Sequence, residues 1–225
     1  MARIDLERRA EIGREKRART RAAILDAARA CYADPDAPSV TIESVMQQAG
    51  LAKGTFYLHF TDLPSLEAAL GDALIAELAE RHEPARQAVT EPLARLATAV
   101  TIFLRDIAEA PARARLVAHA IVALPDVGEA VQIRLKDDLA GAKERGQIAV
   151  GSVELASRIV IALVQQAAFL SGAGKLESSA VPDLVRAILR ALGCTPDGAA
   201  KRAADAARNA DMFAQQEAQP QSRRQ

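Results

Sequence analysis

One short stretch, residues 50–60, constrains the fold of this chain more than any other. Phe56 and Phe60 are four residues apart, so on a helix they share one face and can anchor it in a core. Lys53, Gly54 and Thr55 give the other sides hydrogen-bonding groups and little bulk. Such a surface suits the major groove of DNA, where phosphates and base edges are reached at close range. An ordinary amphipathic helix with an incidental exposed lysine fits the same residues, so the preceding segment must decide.

That preceding segment predicts a second helix and a tight turn. Thr41 stands at an N-cap position, and apolar residues then recur at the spacing i, i+3, i+4 and i+7. These residues are Ile42, Val45, Met46 and Ala49. Gly50 follows directly, where a chain that leaves a helix through the left-handed conformation favours glycine. Helix, glycine turn and helix together predict a helix-turn-helix, in which the second helix normally reads the DNA.

Over residues 20–70 the chain resembles the DNA-binding domain of TetR-family transcriptional regulators. The resemblance is carried by residues 20–28 in the first helix, Thr41, residues 49–57 and Phe60. It implies an all-α protein with an N-terminal three-helix DNA-binding domain and a six-helix domain for effector binding and dimerisation. We expect a basic extension over 1–19, the DNA-binding domain over 20–65, the effector and dimerisation domain over 66–193, and a partly helical or disordered tail over 194–225.

The resemblance also assigns roles within the helix-turn-helix. Lys53 and Tyr57 match positions that usually hold phosphates, Gly54 permits close approach, and the residues expected to select bases are Thr55, Leu58 and His59. Thr41, at the start of the preceding helix, completes the predicted set. Three positions depart from the family pattern: Ala52 where serine is common, Leu63 where lysine is usual, and a proline-containing linker over 34–38 in place of a short glycine turn.

The formal net charge is zero, but the charge is unevenly distributed. Residues 1–30 hold nine basic and five acidic side chains, whereas residues 31–225 hold 20 basic and 24 acidic ones. Salt screens charges beyond ~8–10 Å, so a neutral protein with a basic segment can still bind DNA. Because Ala52 and Leu63 remove two expected phosphate contacts, we expect the basic cluster Arg14–Arg21, with Arg17 and Arg19, to contribute more of the affinity. The alternative is that this cluster is a solvated helix start with local ion pairs. The sequence is compatible with contact between the cluster and either the DNA backbone or the minor groove.

The remaining sequence predicts helices separated by proline, glycine and polar breaks. A fourth helix runs from Asp62 to about Arg81, and the fifth begins at Pro92. A sixth covers 111–120, and a seventh runs from Pro125 to Gly146. The alanine-rich segment 200–216 could form one more helix, although it lacks a clear apolar stripe. Residues after about 216 are expected to be disordered.

Two C-terminal helices, about 152–171 and 180–192, bear on assembly. The eighth helix is apolar on almost all sides between Ile159 and Leu170, so it needs cover on two sides. A second copy of the same helix pair would supply that cover as a two-fold four-helix bundle, and the resemblance implies the same homodimer. Burial within one monomer is the alternative. A dimer would present two reading helices to a palindromic double-stranded DNA operator.

Function beyond DNA binding has weaker signals in the sequence. By resemblance, helices four to eight should enclose an effector cavity, and the polar or aromatic candidates within aliphatic helices are Phe103, His119, Gln165 and Phe169. With few aromatic residues, the unidentified effector should be largely apolar. The alternative is a DNA-bound adaptor whose C-terminal domain binds a protein. A repressor is favoured over an activator by analogy alone.

Other function classes lack support in the sequence. We find no phosphate-binding loop, nucleophile elbow or zinc-protease motif, so no enzymatic activity and no cofactor are expected. The three histidines show no metal-ligand spacing with Cys31 and Cys194, so no metal is expected. No uninterrupted run of 18 apolar residues is present and the charged N-terminus precedes no apolar stretch, so we expect no membrane span, no signal peptide and a cytoplasmic, nucleoid-associated bacterial protein.

Overall fold

The structure, a computed structural model, describes residues 2–33, 39–124 and 128–218. The predicted linker 34–38, the predicted helix start at Pro125 and the end of the tail from 219 onward lie outside the described residues. All elements among the described residues are helical, which confirms the all-α prediction. The helices are α1 (Ala2–Ala33), α2 (Ile42–Gln48), α3 (Lys53–Phe56), α4 (Leu63–Gln87), α5 (Pro92–Ala108), α6 (Pro111–Ala123), α7 (Glu129–Glu144), α8 (Val153–Gly172), a 3₁₀ helix (Ser178–Ala180), α9 (Val181–Ala191) and α10 (Pro196–Ala218).

The chain divides into two compact units, Met1–Leu70 and Gly71–Gln225, and the division falls within α4. In the first unit, the predicted anchors Phe56 and Phe60 are buried with their ring centroids 5.7 Å apart. They share the core with residues from α1, α2 and α4, namely Ile24, Ala28, Val45, Met46 and Leu66. The predicted extension 1–19 and the first helix form one continuous helix, α1.

The second unit is built around α5, α6, α8 and α9, and α7 and α10 pack against this group. Its helix starts follow the sequence signals, because Glu91 and Ser152 accept hydrogen bonds from the backbone N–H groups of Ala94 and Leu155 at 2.6 Å and 3.3 Å. Gly71 allows α4 to approach α6 closely. A Cβ at this position would lie 2.2 Å from the carbonyl oxygen of Leu116.

Helix α4 is longer than the sequence predicts. It continues past Arg81 to Gln87 with Pro84 in its interior. A proline removes one backbone hydrogen bond, so this turn needs support from elsewhere. Arg134 of α7 supplies part of it, since its guanidinium lies 2.5 Å from Glu80 Oε1 and 3.1 Å from Glu83 Oε2. Ion pairs with α7 therefore stabilise the part of α4 in which the local sequence predicts the end of the helix.

The segment 200–216, which the sequence offers as one more helix, lies within a regular helix, α10 (Pro196–Ala218), that packs on α5 and α9 of the same chain. Its buried stripe consists of Ala199, Ala203, Ala206 and Ala210. Alanines form a weak apolar pattern, but their small size lets the backbones of two helices come close. Asn209 Nδ2 also donates to Thr98 Oγ1 at 3.2 Å, and Arg105 pairs with Asp211 at 2.7 Å. The described part of the second unit thus has seven α-helices, one more than the six predicted.

Helix α8 is apolar enough, by length and composition, to cross a membrane. Core helices of soluble proteins satisfy the same criterion, so composition alone does not assign a span. Only 28% of its most apolar 18-residue segment is buried. The exposed positions recur at intervals of three or four residues and therefore share one face of the helix: Leu155, Arg158, Ala162, Gln166 and Phe169.

Candidate nucleic-acid interface and ligand cavity

The helix-turn-helix begins at a reciprocal cap. The Oγ1 of Thr41 accepts a hydrogen bond from the N–H of Ser44 at 3.1 Å, and the Oγ of Ser44 accepts one from the N–H of Thr41 at 3.0 Å. The cap fixes the start of α2. Gly50 has φ +65°, the left-handed conformation in the turn that the sequence predicts. The side chain of Thr41 is thus engaged in the cap within the free domain.

Helix α3, which ends at Phe56, and the turn of residues 57–59 after it present most of the predicted DNA-binding residues to solvent. Lys53, Gly54 and Tyr57 are exposed, and Leu58 retains 80% of its accessible surface. Thr55 and His59 are half-buried. A Cβ at position 54 would meet no heavy atom within 4 Å, so neither close packing nor a positive φ requires glycine there in the free domain. Ala52, at the N-cap, forms no side-chain cap.

Lys53 has a partner that the sequence does not predict. Its ammonium group pairs with the carboxylate of Glu43, at the start of α2. The hydrogen bond and charge of Lys53 hold the pKa of Glu43 below its usual value, and Glu43 in turn raises the pKa of Lys53. The turn between α2 and α3 brings these residues together across ten positions, a separation for which the periodicity of one helix gives no signal.

The basic cluster on α1 is exposed at Arg14, Lys16, Arg17 and Arg19. Arg21 differs, because its guanidinium carbon lies 5.1 Å from the centroid of the Phe60 ring. The two arginines predicted to bind DNA, Arg17 and Arg19, therefore present their side chains to solvent, whereas Arg21 also packs against the core of the first unit.

In the second unit, helices α4, α5, α6, α7 and α8 line a cavity of about 160 Å³. Its apolar wall includes Phe103, which the sequence predicts as a ligand contact, together with Ile75, Leu96, Val100, Val131 and Val160. The other candidates, His119, Gln165 and Phe169, are not part of this wall, and Phe169 is 49% exposed on the open face of α8. The structure thus brings one of the four to the cavity.

Charged and polar residues line part of the cavity, although its exposed surface is almost entirely apolar, and the sequence predicts none of these residues as ligand-binding candidates. His82, Glu83 and Arg86 come from the late part of α4, and Gln132, Arg134 and Asp138 come from α7. Arg134 and Asp138 are four residues apart, so the sequence alone places them on one face of a helix. Their partners Glu83 and Arg86 lie in the extension of α4 beyond Arg81, which the sequence does not predict.

The ion pairs among these charged residues are organised around Asp138. This buried carboxylate accepts hydrogen bonds from Arg86 Nη1 at 2.8 Å and Arg95 Nε at 2.5 Å. Arg86 Nε also donates to Glu83 Oε2 at 2.9 Å. Burial raises the pKa of the Asp138 carboxyl above its usual value, although hydrogen bonds and charge from Arg95 and Arg86 act in the opposite direction. Acidic and basic groups therefore neutralise one another here before any ligand enters.

A second polar cluster adjoins the cavity at His82. Its Nε2 lies 2.6 Å from Asp106 Oδ2, and Arg81 Nη2 lies 3.1 Å from Asp106 Oδ1. Burial acts to raise the pKa of Asp106, but the hydrogen bond and charge from His82 and the charges of Arg81 and Arg113 outweigh it and lower that pKa. The ring of Phe213, from α10, meets His82 edge-on at 6.2 Å.

The described residues were also compared with the requirements of a metal centre. Cys31 and Cys194 are free thiols, and no group of three or more His, Cys, Asp or Glu side chains in that part of the chain could hold a metal ion. Desolvation raises the pKa of the buried Cys194 thiol, so it is less ionised than an exposed cysteine.

Comparison with known proteins supports the helix-turn-helix interpretation. Residues 24–62 match the sequence model described as bacterial regulatory proteins, tetR family. Comparison with curated protein sequences gives no match.

Solved structures of similar fold cover most of the chain. RolR in complex with resorcinol superposes with a TM-score of 0.67 and 21% identity, covering 84% of this chain and 95% of RolR. The transcriptional regulator FadR from Bacillus subtilis, in complex with stearoyl-CoA, superposes with a TM-score of 0.57 and 17% identity, covering 74% of this chain and 96% of FadR. A gamma-butyrolactone receptor described as ArpA-like superposes with a TM-score of 0.52 and 19% identity, covering 88% of this chain and 99% of the receptor.

Proposed function

This chain carries the DNA-binding domain of the TetR family, and from that premise we propose that it is a sequence-specific transcriptional regulator. In this proposal it binds a palindromic double-stranded DNA operator as a homodimer and acts as a repressor that a small-molecule ligand releases. It would work in the cytoplasm, at the nucleoid. The observation that carries the proposal is the exposed surface formed by α3 and the turn that follows it, where Lys53, Gly54, Tyr57 and Leu58 face solvent.

The residues on this surface suit DNA in distinct ways. Gly54 has open space around it, so the backbone can approach a phosphate without a side chain in between. Tyr57 and Lys53 supply hydrogen-bond donors for phosphate oxygens. Leu58 is a large apolar side chain that is 80% exposed, which suits contact with a base edge. The exposed Arg17 and Arg19 of α1 add positive charge for the sugar-phosphate backbone.

The proposal of a homodimer rests on the open face of α8. Leu155 is 55% exposed and Phe169 is 49% exposed, and Ala162 lies between them on the same face. Arg158 and Gln166 share this face, so the apolar positions stand among polar ones, as they do in an interface with a polar rim. A second copy of α8 and α9 would bury this face about a two-fold axis and place two α3 helices against operator half-sites ~34–36 Å apart. Phe169, proposed from sequence as a ligand contact, fits this interface better.

The cavity favours a small-molecule sensor over a protein-binding adaptor. It is apolar over most of its wall and has a buried carboxylate, Asp138, among its lining residues, a combination typical of ligand sites. Phe103 would contact the ligand from the apolar wall. Helix α4 contains residues of both units, so a ligand that changes the position of its late part could change the DNA-binding activity. His119 and Gln165 remain candidates only for an indirect role, since neither lines the cavity.

The test is selection of bound fragments from the native genome by the purified full-length chain at physiological salt. We expect enrichment of one palindromic sequence, and Leu58→Ala should change its base preference. Equal binding of all fragments would overturn the regulator proposal. Sedimentation of the chain with Phe169→Glu, against Ala204→Glu on the exposed side of α10, tests the dimer: only the first should give monomers. Dimers with Phe169→Glu would contradict the proposed interface.

A further inference from the structure

The cavity in the second unit has a size and a charge balance that narrow the chemistry of its ligand. We propose, on the basis of the function proposed above, that it binds a neutral molecule of about one ring that carries a hydrogen-bonding group such as a hydroxyl or a carbonyl. Three properties of the cavity point to this class: its volume, its apolar wall and the pairing of the charged residues that line it.

The volume limits the ligand to a small molecule. The cavity measures about 160 Å³. An engineered protein cavity of roughly 150 Å³ with an apolar lining accommodates benzene, so this one has space for a single ring with a small substituent. The cavity is partly open, so a long acyl chain or a fused-ring compound would extend beyond the enclosed space, since sites for drug-sized ligands start at roughly 300 Å³.

The wall determines how most of the ligand is held. Phe103, Leu96, Val100 and Val160 form part of a continuous apolar surface from α5 and α8. A hydrophobic ring gains free energy by leaving water for this surface, and Phe103 can contact it edge-on or with an offset face. A strongly hydrated ligand, such as a sugar, would lose its water without replacement on this side.

The charged residues of the cavity wall are paired with one another, which favours a neutral ligand. Arg86 is bound to Asp138 at 2.8 Å and to Glu83 at 2.9 Å, and Arg134 is bound to Glu83 at 3.1 Å. Two guanidinium groups therefore already face two carboxylates within the cavity wall. An anionic ligand would have to compete with these carboxylates and would itself be desolvated, whereas a neutral hydroxyl or carbonyl can accept or donate beside pairs that stay intact.

The preference for a neutral ligand over an anion can be changed by substituting one charged residue. Asp138 is buried between Arg86 and Arg95, so replacing it with the isosteric asparagine leaves these guanidinium groups with one carboxylate fewer. The variant Asp138→Asn should then bind an anion of the same size better than the wild type does. The volume and apolar wall are unchanged by this substitution, so the two properties can be tested separately.

The experiment is isothermal titration calorimetry of the full-length chain with three probes: phenol, benzoate and 1-dodecanol. We expect phenol to bind at least tenfold more tightly than benzoate. Dodecanol should give no detectable binding. Ala99→Leu places a larger side chain in the cavity wall and should abolish phenol binding, while Ala204→Leu, the same change at an exposed position of α10, should preserve it. In Asp138→Asn the ratio of phenol to benzoate affinity should fall.

Several results would overturn the inference. Tighter binding of benzoate by the wild type would exclude a neutral ligand, and binding of dodecanol would exclude the size limit. Binding of phenol that Ala99→Leu leaves unchanged would place the ligand elsewhere. If Asp138→Asn fails to fold, titration of the wild type with the three probes still tests the charge and size of the ligand, and Ala99→Leu still tests its location. Binding of genomic DNA fragments, measured in parallel, separates this inference from the proposed function: a wild type that binds DNA selectively but none of the probes refutes the ligand class alone.

Discussion

The ammonium group of Lys53 is paired with the carboxylate of Glu43, although both side chains are more than half exposed and belong to successive helices of the helix-turn-helix. A lysine that binds a DNA phosphate in the proposed complex must first leave this partner. The strength of DNA binding should therefore depend on Glu43, a residue outside the set predicted to contact DNA.

We predict that Glu43→Gln strengthens binding to all DNA sequences by a few-fold, because Lys53 no longer exchanges one partner for another. The dependence of log K on log salt should become steeper by up to about one unit, since the phosphate contact of Lys53 would then appear in full. Fluorescence anisotropy with a selected fragment across a salt series measures both. Glu144→Gln, an exposed carboxylate on α7, controls for net charge. Equal effects of the two substitutions would show that the pair with Lys53 is irrelevant.

Replacing Arg17 and Arg19 with alanine should weaken binding to every DNA sequence alike. Both side chains are exposed on α1, and removing each interaction with a phosphate should flatten the salt dependence by about one unit. The same anisotropy series measures the slope, with Arg145→Ala at the exposed end of α7 as the comparison. An unchanged slope would mean that α1 lies away from the DNA backbone.

Leu58→Ala should change which bases are preferred without changing the salt dependence, because an apolar side chain contacts no phosphate. If Leu58 packs on the methyl group of a thymine, replacing that thymine with deoxyuridine should weaken binding of the wild type at one position of each half-site. The variant should no longer respond at this position. Titration with a set of singly substituted fragments gives the answer, and a response that survives in the variant would exclude the methyl contact.

The packing of α10 on its own chain can be tested by enlarging an alanine. Ala206 is buried in the stripe between α10 and its neighbours, so Ala206→Leu should lower the free energy of unfolding by about 1–3 kcal/mol through overpacking. Ala204→Leu, two residues earlier and exposed, should change it by less than about 0.5 kcal/mol. Urea denaturation compares the two variants, and similar effects would indicate that α10 is not held at this stripe.

The pair of Asp106 and His82 predicts a dependence of stability on pH. The folded-state pKa of Asp106 is lowered, so its contribution is present above the pKa it has in the unfolded chain and is lost as the pH falls through the folded-state value. Asp106→Asn should therefore destabilise the protein at neutral pH, and the difference from the wild type should shrink as the solution becomes acidic. Urea midpoints from pH 7 downward measure this, and a constant difference would contradict it.

The first unit follows closely from the sequence because its signals are local. Caps, the glycine turn and the pair Phe56 and Phe60 lie within a few residues of one another, so periodicity and turn chemistry define them. The partner of Lys53 is the exception, since it depends on the angle between two helices. Exposure of Leu58 could also be expected, because Phe56 and Phe60 occupy the buried face.

The second unit depends more on tertiary contacts, and less of it could be predicted from the sequence. Helix α10 is difficult to predict because a stripe of alanines carries little hydrophobic signal and is stabilised by close approach to α5. The sequence indicates aromatic and polar residues within apolar helices as cavity candidates, yet the charged residues at the cavity wall, such as Arg86 and Asp138, belong to other positions. Such residues are ordinarily solvated, and their pairing with one another offsets part of the cost of burying them.

The open face of α8 has a consequence for the lifetime of the protein. A copy without a partner displays Leu155 and Phe169, the kind of apolar surface that chaperones and proteases engage. Paired copies would hide it. Degradation would then act mainly on single chains, and the half-life of the protein would increase with its own abundance.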